Sequence, residues 1–275
     1  MFNRALHILL VLVVALMLGM FWPEFSRSGD SPRSAAFTWP GEPLFERAWL
    51  CPETAAVPDH RFTIPGEIFF GAGVSEEEVV RALRLTSGVL MVYGGQIDIP
   101  ATMTRLEHRR VLSVRVEDLT KSERHDPEAL ARRTLTGLRN FMARVAHPVT
   151  PHINLVFLEE IVHPSDLGGV VLGEVMGMGL SPQLVAESKM GGATEEWVRA
   201  AGLHGDFTPT LIVSMRVLRT RTDQDVGITL VHELGHALGL AHEEDPKSLM
   251  AEEPPSCIPA LSLPQRQAFE ARREE

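Results

Sequence analysis

The run His232 to His242, HELGHALGLAH, concentrates the groups of this chain best placed to do chemistry. His232 and His236 stand four residues apart, so on a helix their imidazoles leave one face and can reach a common ion. Glu233 follows the first histidine, and its carboxylate can lie beside that ion without binding it, placed to take a proton from a metal-bound water. Gly239 permits a left-handed turn that ends the helix and swings the chain back, which lets His242 approach as a third ligand. Three neutral imidazoles leave the charge of a dication uncompensated and one coordination position free for water, the arrangement of a catalytic zinc site and not of a structural one. Such an ion lowers the pKa of its water towards ~7 and polarises a carbonyl. Glu233 would activate the water and pass the proton to a leaving amine. The expected activity is therefore that of a zinc metalloendopeptidase, with one Zn2+ held by His232, His236 and His242, Glu233 as the catalytic base, and protein or peptide substrates. The competing reading is a catalytically silent protein that keeps the same ion.

Elements must position these groups. Asp225 near the start and Gly239 near the end predict a helix over Val226 to Leu240. Upstream, Arg61 to Gly71 reads as a strand interrupted at Pro65-Gly66. Ser75 then reads as an N-cap with Glu78 three residues on, opening a helix whose Val79, Leu83, Thr86, Leu90 and Tyr93 recur at helical spacing until Gly94-Gly95 stops it. Gln96 to Met103, Arg110 to Glu117, His152 to Glu160, Gly169 to Met176 and Thr210 to Leu218 are strand candidates. Asp126 to Ala146 carries a second amphipathic pattern, with Leu135, Leu138, Phe141, Met142 and Val145 on one face. Glycine-rich patches around Gly168, Gly177 and Gly191 read as loops or bulges, because none has the spacing and following helix of a phosphate cradle.

From His232 to Met250 the run HELGHALGLAHEEDPKSLM resembles the zinc signature of the metzincins, and among them most the matrixins, the matrix metalloproteinase group. The resemblance implies that Met250 is the methionine of the turn beneath the metal. Asp245-Pro246 and the short interval from His242 to Met250 match matrixins, whereas astacins place that methionine farther on. The implied fold is an α+β metzincin-like zincin: a twisted mixed sheet, a long first helix, the zinc helix and a small C-terminal subdomain whose terminal helix we place at Leu263 to Glu275. The Ser75 helix is preferred as the first helix; the Asp126 pattern is the alternative, and 104–151 is open to reading as an insertion.

The chain also departs from the matrixin pattern. Ala251-Glu252 stands where matrixins usually have Tyr-Pro, and the one tyrosine, Tyr93, is far off in sequence. Glu243 is the astacin choice after the third histidine, so an astacin-like peptidase is kept as a further reading, although a solvated loop charge is the plainer expectation there. Between His152 and Val226 nothing matches the matrixin loops for a second zinc or for calcium, and neither ion is expected.

The rest of the 275 residues sets the context. A net charge of -10, from 36 acidic and 26 basic residues, argues against nucleic acid as a partner. Arg4 precedes an apolar run from Ala5 to Trp22, so residues 1–24 are read as a signal anchor or signal peptide. The anchor is preferred because no small-residue cleavage site ends the run, and either reading exports the remainder. Residues 25–58, rich in Pro, Ser, Gly and charge, read as a linker, and 59–275 as the peptidase domain. Two cysteines in an exported chain suggest one Cys51–Cys257 disulfide. The alternative is a latency switch, since Cys51-Pro52 with Val57-Pro58-Asp59 faintly resembles the matrixin PRCGxPD segment.

Overall fold

A computed structural model of the chain describes residues 42–54, 61–98, 103–107, 110–111, 139–146, 150, 152–161, 177–187, 198, 202–203 and 205–271. These belong to one compact unit, Phe37–Glu275. The N-terminal apolar run and the linker up to residue 41 lie outside the described residues, as do the strand expected at Gly169 to Met176 and most of 104–151. No helix among the described residues is long and apolar enough to cross a membrane.

The architecture is a mixed sheet covered on both faces. Strand β1 (Phe62–Phe70) is followed by helix α1 (Glu76–Val92), β2 (Gly95–Asp98), β3 (Met103–Arg105) and β4 (Arg110–Val111). Then come β5 (Ile153–Leu158), β6 (Glu160–Ile161), β7 (Gly177–Leu180), a short α2 (Pro182–Ala186), β8 (Thr210–Ser214), a single turn α3 (Met215–Leu218), α4 (Asp223–Ala237) and α5 (Leu263–Glu270). The main sheet runs in the order β2-β1-β5-β8-β7, with β3 sharing β1, while β4 and β6 pair separately. All its pairings are parallel except β7 on β8.

Burial on both faces shows in the strands themselves. Leu155 and Phe157 of β5 and Leu211 and Val213 of β8 point into a core shared with α1 and α4. Alternate residues Val156, Leu158 and Ile212 point into a second core with Phe141, Met142 and Val145. The last three lie on a helical stretch, residues 139–145, where the amphipathic pattern expected them. Continuous apolar runs are what strands covered on both sides require.

Local signals account for most boundaries. Ser75 caps α1 through a capping box with Glu78, and Gly94, at φ 78°, ends it. Strand β1 is not broken at Pro65-Gly66. It runs through them while changing partners, since Phe62 to Pro65 lie along β2 and Gly66 to Phe70 along β5. Strand β8 stops at Ser214, and Met215 to Leu218, expected as strand, make one helical turn. The helix α4 begins three residues before the expected Val226, because Thr222 is the residue that caps it, accepting from the Asp225 amide. The terminal helix opens on a Ser262–Gln265 capping box and is described as far as Glu270.

Within the span read as linker, residues 42–54 lie against the domain. Leu44 N–H donates to the Arg84 carbonyl, and the Leu44 carbonyl fits over Gly88, where a Cβ would come within 2.0 Å of its oxygen. Trp49 is buried, and Cys51 is joined to Cys257 by a disulfide, flanked by backbone bonds between Trp49, Cys51 and Ile258. Composition hides this because an irregular segment held by backbone bonds and a covalent link needs no periodic apolar face. A link closing a loop this long restricts the unfolded chain strongly. Replacing both Cys51 and Cys257 by Ser is expected to lower unfolding stability by about 2–5 kcal/mol, measured by denaturant titration under non-reducing conditions.

Candidate metal centre

The first half of α4 is buried against α1, which approaches closely because residue 227 is glycine: a Cβ there would lie 2.9 Å from a Val89 methyl. This packing fixes the helix along its length and presents His232 and His236 at its far end. His236 is followed by the turn that sequence expects at Gly239, whose φ is 94°. Leu240 N–H returns to the Gly235 carbonyl, and the chain doubles back to bring His242 beside the other two.

The three imidazoles converge. His236 Nε2 lies 3.1 Å from His232 Nε2 and 3.0 Å from His242 Nε2. The opposite nitrogens settle the proton positions on two rings. His232 Nδ1 is 2.7 Å from the Leu249 carbonyl and His236 Nδ1 is 2.7 Å from the Leu240 carbonyl. A carbonyl only accepts, so both Nδ1 atoms carry the proton and both Nε2 atoms face the common point with bare lone pairs. Neither can donate to the other, and two acceptors at this distance call for a cation between them. Three nitrogens at zinc-ligand distance around a tetrahedral ion lie roughly 3.3 Å apart, and the two spacings about His236 are close to that, with all three ligand atoms within 4.8 Å of one another. Among the described residues these are the groups able to hold a metal. Burial, aided at His236 by its neighbour His232, lowers the pKa of His232 to about 4 and of His236 to about 3, which keeps both neutral and able to ligate at ordinary pH.

Glu233 leaves the same helix but does not join the nitrogen cluster. Its Oε2 accepts from the Gly179 N–H at 2.9 Å, and burial raises its pKa to about 7 against the opposing pull of that hydrogen bond. The partner comes from β7, one of the glycine patches read as a loop or bulge; Gly177–Leu180 is a strand paired to β8. Its glycines are there for closeness. A Cβ on Gly179 would meet the Glu233 carbonyl oxygen at 2.0 Å and His236 Cβ at 2.6 Å, and one on Gly177 would lie 2.9 Å from Glu233 Cγ.

Beneath the histidines, Met250 is fully buried with its sulfur against Gly235, where a Cβ would come within 2.5 Å. The expected Met250 turn is thus observed, and Gly235, within the HELGH run, is the residue that admits it. Gly179 and Gly235 were not foreseen as site residues. Their signal was glycine inside a strand and inside a helix, which often marks a close backbone approach.

Two other expectations resolve here. Glu243 is not a solvated loop charge: its Oε2 accepts from Ser248 Oγ at 2.7 Å and its Oε1 from Ser262 Oγ at 3.2 Å. The same pairing departs from the astacin-like reading, which requires an amino group on that carboxylate. Tyr93 is buried at the end of α1, donating to the Pro259 carbonyl, and takes no part in the centre. With Cys51 in a disulfide, its thiolate does not serve as a latency ligand in this state.

Residues 173–257, which include β7, α4 and the Met250 turn, match the family model Peptidase M10, described as matrixin. Among solved structures, archaemetzincin from Methanopyrus kandleri is similar at 17% identity and a TM-score of 0.38, over 76% of this chain and 95% of that one. A zinc-dependent peptidase from Methanocorpusculum labreanum is similar at 13% identity and a TM-score of 0.36, over 74% of this chain and 99% of that one. A search of curated proteins gives no match.

The contact between β7 and α4 makes a direct test. Gly179→Ala forces backbone against backbone and is expected to destabilise the protein by about 1–3 kcal/mol, as overpacking does, and to displace Glu233. Thermal unfolding together with peptidase assays would check it, and a variant with parental stability and turnover would contradict the packing described.

Proposed function

We propose, taking as premise that this chain is a metzincin-like zinc metallopeptidase, that it is an endopeptidase in which Glu233 is the general base and His232, His236 and His242 hold the ion. The observation that carries the reading is the pairing of three converging Nε2 atoms with a carboxylate that stands clear of them.

A zinc ion held by these nitrogens would supply a Lewis acid that polarises the scissile carbonyl and makes water acidic enough to lose a proton near neutral pH. The protein's part is to receive and return that proton. Glu233 is suited to it because Gly179 N–H engages one carboxylate oxygen and aims the group, leaving the second oxygen for the water. Its raised pKa makes it both a competent acceptor and, once protonated, a competent donor to the leaving amine.

The sheet supplies a place for an extended substrate. Strand β7 ends the sheet among the described residues, and backbone groups of alternate residues point to the same edge. Gly179 turns its N–H towards Glu233, so Gly177, two residues earlier, presents its backbone on that same side. A peptide adding to this edge by main-chain hydrogen bonds would be carried past the carboxylate, with no requirement for a free terminus. This favours cleavage of internal bonds.

Incubation with a library of peptides blocked at both ends is expected to show cleavage that stops on removing zinc with a chelator. Glu233→Ala is expected to lower kcat/KM by about 10²–10⁴-fold while zinc content stays near the parental value. Full turnover in that variant would end the general-base assignment. Because Glu233 acts as carboxylate, kcat/KM should rise with pH to a plateau. The acid limb is expected below the value of about 7 that burial, opposed by the Gly179 hydrogen bond, sets without a metal, since a neighbouring dication favours the ionised form.

The Ala5 to Trp22 run and the Cys51–Cys257 disulfide both support an exported domain, tethered at its N-terminus, because disulfides persist in oxidising compartments. Fractionation of cells expressing the full chain should find the peptidase with membranes and accessible to an external protease. Deleting residues 1–24 should leave it inside the cell, and an unchanged distribution would refute the assignment.

A further inference from the structure

The carboxylate of Glu243 lies at the centre of a hydrogen-bond set joining three separate segments. It directly follows His242, and its backbone N–H donates to the Met250 carbonyl at 2.8 Å. Its side chain accepts from Ser248, in the turn above Met250, and from Ser262, the cap of α5. Gln265, fully buried in the first turn of α5, donates from Nε2 to Ser248 Oγ at 2.6 Å and accepts the Ser262 N–H on Oε1 at 3.1 Å. Met250 N–H donates to the same Ser248 Oγ at 3.0 Å.

The bond directions about Ser248 follow from its two donors: the Met250 amide and the Gln265 NH2 can only donate to its oxygen. Both lone pairs of Ser248 Oγ are thereby taken, and its single proton is given to Glu243. The hydroxyl is then saturated, one proton given and two received. Leu249 sits between Ser248 and Met250, and its carbonyl is the group that accepts from His232 Nδ1. Pinning Ser248 and the Met250 amide together therefore fixes the peptide that sets the tautomer and tilt of His232. The same carboxylate anchors the residue next to His242, so two of the three imidazoles are held through it from opposite sides.

We propose that Glu243 is a positioning residue of the metal centre, coupling the ligand His242 to the carbonyl that orients His232 and bracing both against α5. The proposal rests on the zinc reading above, and concerns how tightly the ion is held, not the proton transfer. Groups that orient a metal-ligating histidine commonly change metal affinity by about 10–100-fold when removed.

The bond directions make the effect specific to the acceptor and not to the charge. A glutamine at 243 can keep its carbonyl oxygen on Ser248 and turn its NH2 towards Ser262, whose oxygen has a lone pair to spare beside the one facing the Gln265 amide. An alanine can do neither, and leaves the Ser248 proton without its acceptor.

The test uses the full chain, with zinc itself as probe, measured by competition against a chromogenic chelator of known affinity, beside thermal unfolding of each metal-free variant. Glu243→Ala is expected to weaken zinc binding about 10–100-fold and to speed loss of zinc to the chelator, and Glu243→Gln to stay within about threefold of the parent. Ser248→Ala, which removes the shared hydroxyl without touching a neighbour of a ligand, should weaken zinc binding as Glu243→Ala does, and serves if the latter does not fold. Replacing zinc by cobalt(II) adds a spectroscopic readout: the visible bands should shift in Glu243→Ala and not in Glu243→Gln. Parental zinc affinity in Glu243→Ala or Ser248→Ala, whatever happens to their melting temperatures, overturns the proposal, as does a Glu243→Gln variant as impaired as the alanine. A parent chain that binds no zinc is a different result, which overturns the metal reading and this proposal with it.

Discussion

Three imidazoles can share one cation only if each offers a bare nitrogen at the same point, and a neutral imidazole has only one to offer. Which nitrogen it is depends on where the proton sits, so the centre depends on the carbonyls of Leu249 and Leu240, which hold the protons of His232 and His236 on the far side of the rings. Both carbonyls belong to chain that comes after α4, delivered by the reversal at Gly239 and by the turn that ends in Met250. The helix supplies spacing, whereas the returning chain supplies protonation state. Burial acts in the same sense, since it disfavours the charged imidazolium that could not bind a metal.

Around this arrangement, closeness is obtained by leaving out side chains. Gly179 lets β7 touch the backbone of α4, Gly235 lets Met250 lie under it, and Gly227 lets α1 pack along its first half. A helix gripped by backbone and methionine on several sides has little room to roll, and its histidines leave it in fixed directions. Glycine inside a helix costs roughly 1 kcal/mol relative to alanine, so Gly227 and Gly235 weaken α4 as an isolated helix while strengthening its hold in the fold.

The convergence of the three histidines is more legible in the residues than the scaffold around them. His232, Glu233, His236, Gly239 and His242 could be placed because helical spacing and a glycine stop are local rules, and the Ser75 cap and the apolar runs of β5 and β8 follow from equally local ones. What escaped was set by distant partners. Gly177 and Gly179 look like a loop until β8 is there to pair with them and Glu233 to be touched. Pro65 looks like a break until β1 is seen changing neighbours beside it. Glu243 looks like a surface charge because the serines that receive it, five and nineteen residues away, reveal nothing by periodicity. Residues 42–54 look like linker because their attachment is made of backbone bonds and a disulfide.

That disulfide also decides how mechanical load would travel. Tension applied at the amino-terminal end enters the described domain near Glu42 and reaches Cys51, where a covalent bond offers it a second route directly to Cys257. The force is thereby shared with the stretch that leads into α5 before it has crossed the sheet or α4. Pulling on the front of the molecule therefore loads its rear through Cys257, in addition to α1, to which Glu42 and Leu44 are bonded.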